Sequence, residues 1–536
     1  MNQSKIPLLG LVVVSLGALA LFIIFNNQAI LSPTADHQLA SVGTLGPGTT
    51  YYVDNSHASS SDDNLGTDQD APWKTISKVN EAMGNFKPGD NILFKRGGTW
   101  TEKLTVQKSG SSGTSITIGA YGEGGNPIID LGNQSDFGIL VLDQNYVNIQ
   151  DLTIKNAKSD NGPSAGIAIA NSKNITIDTV EIVDTKGVGG IFIYASGPNL
   201  LSGITVRNSK IDNTTGTTYS IGGGNNGTGI QIWGDCTSCG SNVVIENNTI
   251  TGSAAHGIGV FMPFVTIRGN SVSNNGEAGI GGGGLAAHDL VIDDNKVSSN
   301  CQKKDDCFGI NMFRTGGKNI IKNNTLSGQH DTLSDKNIPI NPGYPNKYGT
   351  GGIRFDGGDK TLVTLAEFGP GSDYMDQAGN SISGNTISNE YDGIQIFNYN
   401  NVSITGNNIK NSGRAAVNAA ADNTDGKSIT VTIQNNTFEG NGVLATNTTI
   451  LGDSPAPTPP PTATTTPTST PPITCTTPKT YYEDKDADTY GNPNVKKSSC
   501  TQPVGYVLSN KDCNDTVKAT RRCLSCSVRN SSTCRK

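Results

Sequence analysis

One phrase of apolar and polar positions recurs along most of the chain. It opens with Gly-Ile-x-Ile, passes a variable turn, continues as a Val/Ile-x-Ile alternation, turns on Asn and closes with a short Thr-Ile or Ser-Val strand. Openings stand at Gly138-Ile139, Gly166-Ile167, Gly190-Ile191, Gly229-Ile230, Gly257-Ile258, Gly279-Ile280, Gly309-Ile310, Gly352-Ile353 and Gly393-Ile394, with weaker ones at Ala416-Val417 and Gly442-Val443. The shortest intervals are 22 to 24 residues, and the longer ones read as the same coil with an inserted loop. Such a period holds three short strands and three turns, and is too short for a strand with a crossover helix. The expected fold is all-β, a right-handed parallel β-helix over residues 50–452.

The middle phrase places an Asn at the same turn of successive coils, as in Arg268-Gly269-Asn270, Asp293-Asp294-Asn295, Asn323-Asn324 and Gly406-Asn407. Asn248, Asn385 and Asn436 extend the column, and Leu152, Val180 and Ser209 break it near the start. Asn tolerates the left-handed backbone of a tight turn, and its amide can bond to the amides above and below, so the column reads as structural. Ahead of the coils, Pro72 is expected to begin a short helix whose Ile76, Val79 and Met83 share a face and cap the first coil.

With both Ile of the opening phrase inward, the intervening positions point outward. The last of these gives Tyr194, Trp233, Phe261, Gly283, Phe313, Asp356 and Phe397, an outer column rich in rings. Rings on a solvated strand face suit stacking on the C–H faces of sugars; the alternative is that inserted loops fold over them. The other outward column includes Gln231, Asn311, Arg354 and Gln395, and Asp392 precedes the strand above Arg354. Long insertions on both sides of the Arg354/Asp356 coil make it the expected working region, and His256 at the head of a coil joins the candidate ligand contacts. Arg354 can neutralise a uronate carboxylate in a lyase, whereas Asp356 and Asp392 can serve a hydrolase if about 5 to 9 Å apart. An Arg354–Asp356 salt bridge of purely structural use is the third reading.

Composition agrees with a solenoid: apolar residues are only 34% of 536, and Gly numbers 66. The net charge of −7 is spread, with no basic run, which argues against a nucleic-acid partner. Leu8 to Phe25 is apolar and followed by no clear cleavage site, so residues 1–30 are expected to be an uncleaved membrane anchor or a signal peptide, with 31–49 a linker. Either reading places the rest outside the cytoplasm. The ten Cys suit an oxidising compartment: Cys236 with Cys239 and Cys301 with Cys307 are short-range candidates, and six crowd the last 62 residues. Residues 453–474 are a Pro/Thr-rich linker, and 475–536 form a Cys-rich module. There Asp484, Asp486 and Asp488 alternate ahead of Tyr490, hard oxygen ligands at a spacing that suits Ca²⁺.

Tyr51-Tyr52-Val53, Gly66-Thr67, Pro72-Trp73-Lys74-Thr75-Ile76 and Pro88-Gly89-Asp90, with the Gly-Ile and Asn-turn repeats, resemble the pectate-lyase-like superfamily of secreted β-helix proteins. That resemblance implies an extracellular polysaccharide ligand and leaves lyase, hydrolase, epimerase and noncatalytic surface protein open. The tail resembles a small metal-binding motif of bacterial and archaeal surface proteins, which implies that Asp512 and Asp515 join Asp484, Asp486, Asp488 and Tyr490 around Ca²⁺. The readings carried forward are a polysaccharide-binding protein with lyase or hydrolase activity, and a noncatalytic adhesion protein with a calcium module.

Overall fold

The computed structural model describes residues 46–217, 226–234, 239–303, 306–329, 349–358, 375–421 and 428–452, and, near the C-terminus, 479–484, 492, 494–499, 503 and 506–509. Three parallel sheets run side by side along the body. The opening phrase builds a 12-stranded sheet, the middle phrase a 14-stranded one, and the closing phrase a second 12-stranded one. In the opening sheet Ile139, Ile167, Ile191, Ile230, Ile258, Ile280, Ile310, Ile353 and Ile394 pair coil to coil in a single column. All are fully buried. At about 1.5–3 kcal/mol for each buried aliphatic, such columns hold the solenoid together with few apolar residues.

The recurrent Gly before the Ile has a steric cause. A Cβ at Gly166 or Gly352 would come within 2.6 Å of Ile182 Cγ2 or Ile387 Cγ2 of the closing sheet. The Gly therefore faces the interior where the two sheets meet, and the residue before it returns to the outer face. This adds an outward column absent from the two-column expectation: Phe308, Gly351, Asp392 and Ala415 pair in register along it.

The expected Asn column is present as a buried ladder. Nδ2 of Asn248 donates to Asn270 Oδ1 at 3.0 Å, and the pattern repeats through Asn295, Asn324, Asn385, Asn407 and Asn436 at 2.9 to 3.0 Å. Each Oδ1 also accepts the backbone N–H of the rung below. Ser209 begins the stack, its N–H donating to Asn248 Oδ1. The left-handed residue is the one before each rung: Asn247, Gly269, Asp294, Asn323, Gly384, Gly406 and Asn435 all have positive φ. Chain reversal and amide stacking are thus divided between two neighbouring residues.

The cap helix spans Ile76–Ala82 and begins later than Pro72, because Trp73 bridges to Val53 and Thr75 is the N-cap, accepting from the Lys78 N–H. Ile76, Val79 and Met83 are buried as a set. The membrane expectation is corrected. Among the described residues no helix is long and apolar enough to cross a membrane, and Leu8 to Phe25, on which the anchor rested, lie outside them. A membrane partner and an anchored location are therefore withdrawn. The chain divides into two compact units at Thr458/Pro459. In the second, Lys479–Glu483 pairs antiparallel with Lys496–Ser499 and Tyr506–Val507. All six of its Cys lie outside the described residues, so the disulfide-rich description of this unit has no structural support. In the body, Cys301 is bonded to Cys307; Cys239 is disulfide-bonded, and Cys236 lies outside the described residues.

A second ladder runs Asn275, Asn300, Gln329, and ends on a carboxyl where the pattern calls for an amide. Glu390 is fully buried there. Burial pushes its pKa well above the usual carboxylate range, and hydrogen bonds from Gln329 and the Gly328 backbone only partly oppose this. A carboxyl with a raised folded-state pKa leaves the fold most stable below its ordinary unfolded value of about 4.3, and stability falls as pH rises from there towards the folded pKa. Glu390→Gln should melt higher than the parent at pH 8 and converge with it near pH 4, as followed by circular dichroism.

Candidate functional site

The outer face of the opening sheet carries the candidate residues, and the pairing places them as their spacing requires. Tyr194, Trp233 and Phe261 occupy one column on consecutive coils. Gly283, Phe313, Asp356 and Phe397 continue the same line. Tyr194, Trp233 and Phe261 are half-buried, and the Trp233 and Phe261 rings lie 4.8 Å apart at a 38° tilt. Phe313 is 38% exposed, whereas Phe397 is 2% exposed and presents no open ring. The partly exposed aromatic column therefore runs from Tyr194 to Phe313, its Tyr194 and Trp233 end packed on the Phe137/Phe192 cluster.

Between the rings, glycines let neighbouring side chains lie flat on the next coil. A Cβ at Gly281 would meet three His256 ring atoms within 2.9 Å, and one at Gly283 would meet the Phe261 ring at 2.6 Å. At Gly259 the intruding atom would meet Gln231 Oε1 at 2.8 Å. His256, Gln231 and Phe261 thus form part of the groove floor. His256 Nδ1 faces Glu277 Oε2 at 3.5 Å. Gln231 is 4% exposed, and its Oε1 accepts no hydrogen bond within the protein. A buried acceptor left in this way is costly, and it calls for a donor.

At the upper end of the platform Arg354, buried, donates from Nε to Asn311 Oδ1 at 3.0 Å and from Nη1 to Asp306 Oδ1 at 2.5 Å. Asp356 Oδ2 lies 3.8 Å from Nε, and Asp356 Oδ1 accepts the Gly358 N–H. The Arg354 guanidinium stacks over Phe308 at 4.7 Å. The Arg354–Asp356 pair is therefore real, with Asp306 as the closer carboxylate.

Asp392 belongs to a different network. It is fully buried, accepts from Nε and Nη2 of Arg414, and takes further bonds from Gln395 at 3.2 Å and Asn418 at 2.9 Å. Burial disfavours the Arg414 charge, but the hydrogen bonds and charge of Asp392 reverse this and raise its pKa. Asp392 pairs with Gly351, five strand positions before Asp356, so the two aspartate backbones stand roughly 16 Å apart along the strand. The fold brings Asn311, Arg354 and Asp356 into one cluster and sets Asp392 and Gln395 in a neighbouring clamp.

Sequence reasoning missed Asp306, Phe308, Glu277 and Arg414. Phe308 occupies the third outward column, which an earlier recognition of the inward Gly would have exposed. Asp306, Glu277 and Arg414 sit in turns of variable length, where spacing carries no register. Of the metal candidates, Asp484 follows the strand Lys479–Glu483, while Asp486, Asp488, Tyr490, Asp512 and Asp515 lie outside the described residues.

Two sequence profiles divide the body between them. The one described as "Pel9A-like, right handed beta helix region" matches residues 51–233, and "Right handed beta helix region" matches 225–326 and 341–452. The fold is the pectate-lyase-like right-handed β-helix. A lacto-N-biosidase of Bifidobacterium longum subsp. longum is 28% identical over an alignment covering 36% of this chain and 14% of that protein. Among solved structures, the GH136 lacto-N-biosidase from Eubacterium ramulus is 16% identical at a TM-score of 0.45, covering 76% of this chain and 68% of that one. The Streptococcus pneumoniae surface protein and adhesin PfbA is also 16% identical, at a TM-score of 0.48, covering 70% and 95%. Both profiles describe the right-handed β-helix itself, and the chain spans about 14% of the length of the curated relative it matches.

Removing one partner of a largely buried ion pair strands the other charge, here the fully buried Asp392 carboxylate. Arg414→Met should lower unfolding stability by about 3 kcal/mol, and adding Asp392→Asn should recover most of that loss, as read by denaturant titration.

Proposed function

We propose that the protein binds an extracellular polysaccharide along the outer face of the opening sheet. The single observation that supports this best is the run of outward rings, Tyr194, Trp233, Phe261 and Phe313, on one strand position of a rigid stack. Coils repeat at about 4.8 Å, so the first and last of these rings span roughly 19 Å. Gln231, His256 and Asn311 line the same face and offer polar contacts. Binding is favoured over catalysis as the primary role, because Arg354 and Asp392 are already engaged within the protein.

Glycoside hydrolysis is the second reading, and one feature supports it. Asp306 and Asp356 approach Arg354 from two sides at the end of the platform, leaving a carboxylate pair beside the bound chain. In this reading Arg354, Asp356 and Asp306 work together, and Asp392 shapes the site through Arg414.

Trp233→Ala and Phe261→Ala should each weaken glycan binding by roughly tenfold, about 1.4 kcal/mol, with the melting temperature lowered in Trp233→Ala, whose ring packs on the Phe137/Phe192 cluster, and little changed in Phe261→Ala. Affinity electrophoresis of the full chain against a broad polysaccharide set reads this. Reducing-end release in the same set, lost in Asp356→Asn, would establish the hydrolytic reading; unchanged binding in both ring variants would remove the platform.

We also propose that the C-terminal module binds Ca²⁺ through Asp484, Asp486, Asp488, Tyr490, Asp512 and Asp515. The support is the alternating carboxylate sequence. Added Ca²⁺ should raise the melting temperature of the C-terminal unit in the full chain, and Asp486→Asn with Asp488→Asn should abolish the rise; no shift in the parent would refute it.

A further inference from the structure

The electrostatics of the groove bear on the class of glycan. Arg354 is paired with Asp306 and Asp356, and Arg414 with Asp392. Arg314, at the edge of the face, stacks its guanidinium on Phe313 at 4.8 Å. Glu277 stands behind His256. Among the described residues the face thus sets four carboxylates, Glu277, Asp306, Asp356 and Asp392, against three guanidiniums, two of them already neutralised. A polyuronate would bring one carboxylate per sugar to this surface, where Arg314 is the one guanidinium not paired with a carboxylate among the described residues of the face, and the remaining sugars would meet acids or cations already paired. Desolvating such charges without partners is strongly unfavourable.

The floor supplies an orienting contact. Gln231 sits beside Trp233 on one strand, is almost fully buried, and leaves Oε1 as an acceptor with no donor from the protein. Its oxygen lies over Gly259, with the Thr228 methyl beside it. A sugar hydroxyl or an N-acetyl N–H can donate to that oxygen. A carboxylate placed there has no proton to give, and a uronate can satisfy this oxygen only through its ring hydroxyls. Discrimination against acidic chains therefore comes from the charges of the face, and the Gln231 contact orients the sugar.

Resting on the polysaccharide-binding reading above, we infer that the platform selects a neutral glycan, and that Gln231 Oε1 accepts a hydrogen bond from a hydroxyl or acetamido group of the sugar stacked at Trp233. The chain lies along the solenoid axis with one sugar per coil, because the coil repeat of about 4.8 Å is close to the length of a pyranose unit in an extended chain. Gln231 orients the sugar at Trp233, the carboxylates of the face disfavour acidic chains, and the rings supply affinity without regard to charge.

The test is tryptophan fluorescence and calorimetric titration of the full chain with neutral oligosaccharides (xylan, β-glucan, galactan, and N-acetylhexosamine-containing series) and acidic ones (oligogalacturonate, oligomannuronate and hyaluronan fragments), each at low and high salt. At least one neutral series should bind with an affinity insensitive to salt, and the acidic series should bind at least about tenfold more weakly. Gln231→Leu should reduce neutral binding by roughly tenfold while the melting temperature holds. Tighter binding of an acidic series, falling as salt rises and lost in Trp233→Ala, would overturn the neutral assignment and leave the platform standing. Absence of binding across both sets would overturn the polysaccharide reading and this inference with it. Unchanged neutral affinity in a folded Gln231→Leu would remove Gln231 from recognition.

Discussion

Every coil of this solenoid has to stack on the next without slipping, and the buried amides from Asn248 to Asn436 set that registry. Each rung both donates to the next amide and accepts the backbone N–H of the turn below, so a slip by one residue would break two buried hydrogen bonds per coil. Buried polar groups left unpaired cost about 1–3 kcal/mol each. The Ile columns favour any register that puts aliphatics inside; the ladder selects one. Where it gives way near the N-terminus, Ser209 takes the rung, and its hydroxyl accepts from the Val180 N–H.

That fixed registry is what turns scattered residues into a face. Tyr194, Trp233, Phe261 and Phe313 come from four coils separated by loops of unequal length, yet share one strand position. The inward Gly before each opening Ile matters in the same way. By turning its backbone against the closing sheet, it returns the preceding residue to the outside, and so places Phe308 under Arg354 and Asp392 next to Arg414. Interior packing and outer chemistry are thus carried by alternate residues of the same strand. The face can vary in chemistry while the core stays constant.

The fold was legible because its signals are local and repeated. Gly-Ile-x-Ile fixes which side chains go inside, and the Asn turn fixes where each coil ends. The outward columns followed from alternation, and the observed pairing reproduces them from Tyr194 to Phe397. What the alternation could not supply was the set of partners that meet across turns. Asp306 reaches Arg354 from a disulfide-closed loop, Arg414 reaches Asp392 from the coil above, and Glu277 reaches His256 from a turn. Those contacts depend on loop path and have no period. The cap helix illustrates a smaller version of the same limit: Pro72 looked like its start, but the bridge of Trp73 to Val53 delays it to Thr75. Burial of Phe397 was equally invisible, since its strand position is outward and only neighbouring structure covers it.

On the proposed reading, the outward columns of the opening sheet, and no other face, meet the ligand. Hydroxyl-radical footprinting with and without a saturating neutral oligosaccharide tests it directly, because Phe264, 44% exposed beside the middle sheet, and Leu451, 50% exposed at its upper end, serve as internal controls. Oxidation should fall at Tyr194, Trp233, Phe261 and Phe313 and stay unchanged at Phe264 and Leu451. Protection at Phe264 or Leu451 with the four platform rings unaffected would contradict that reading.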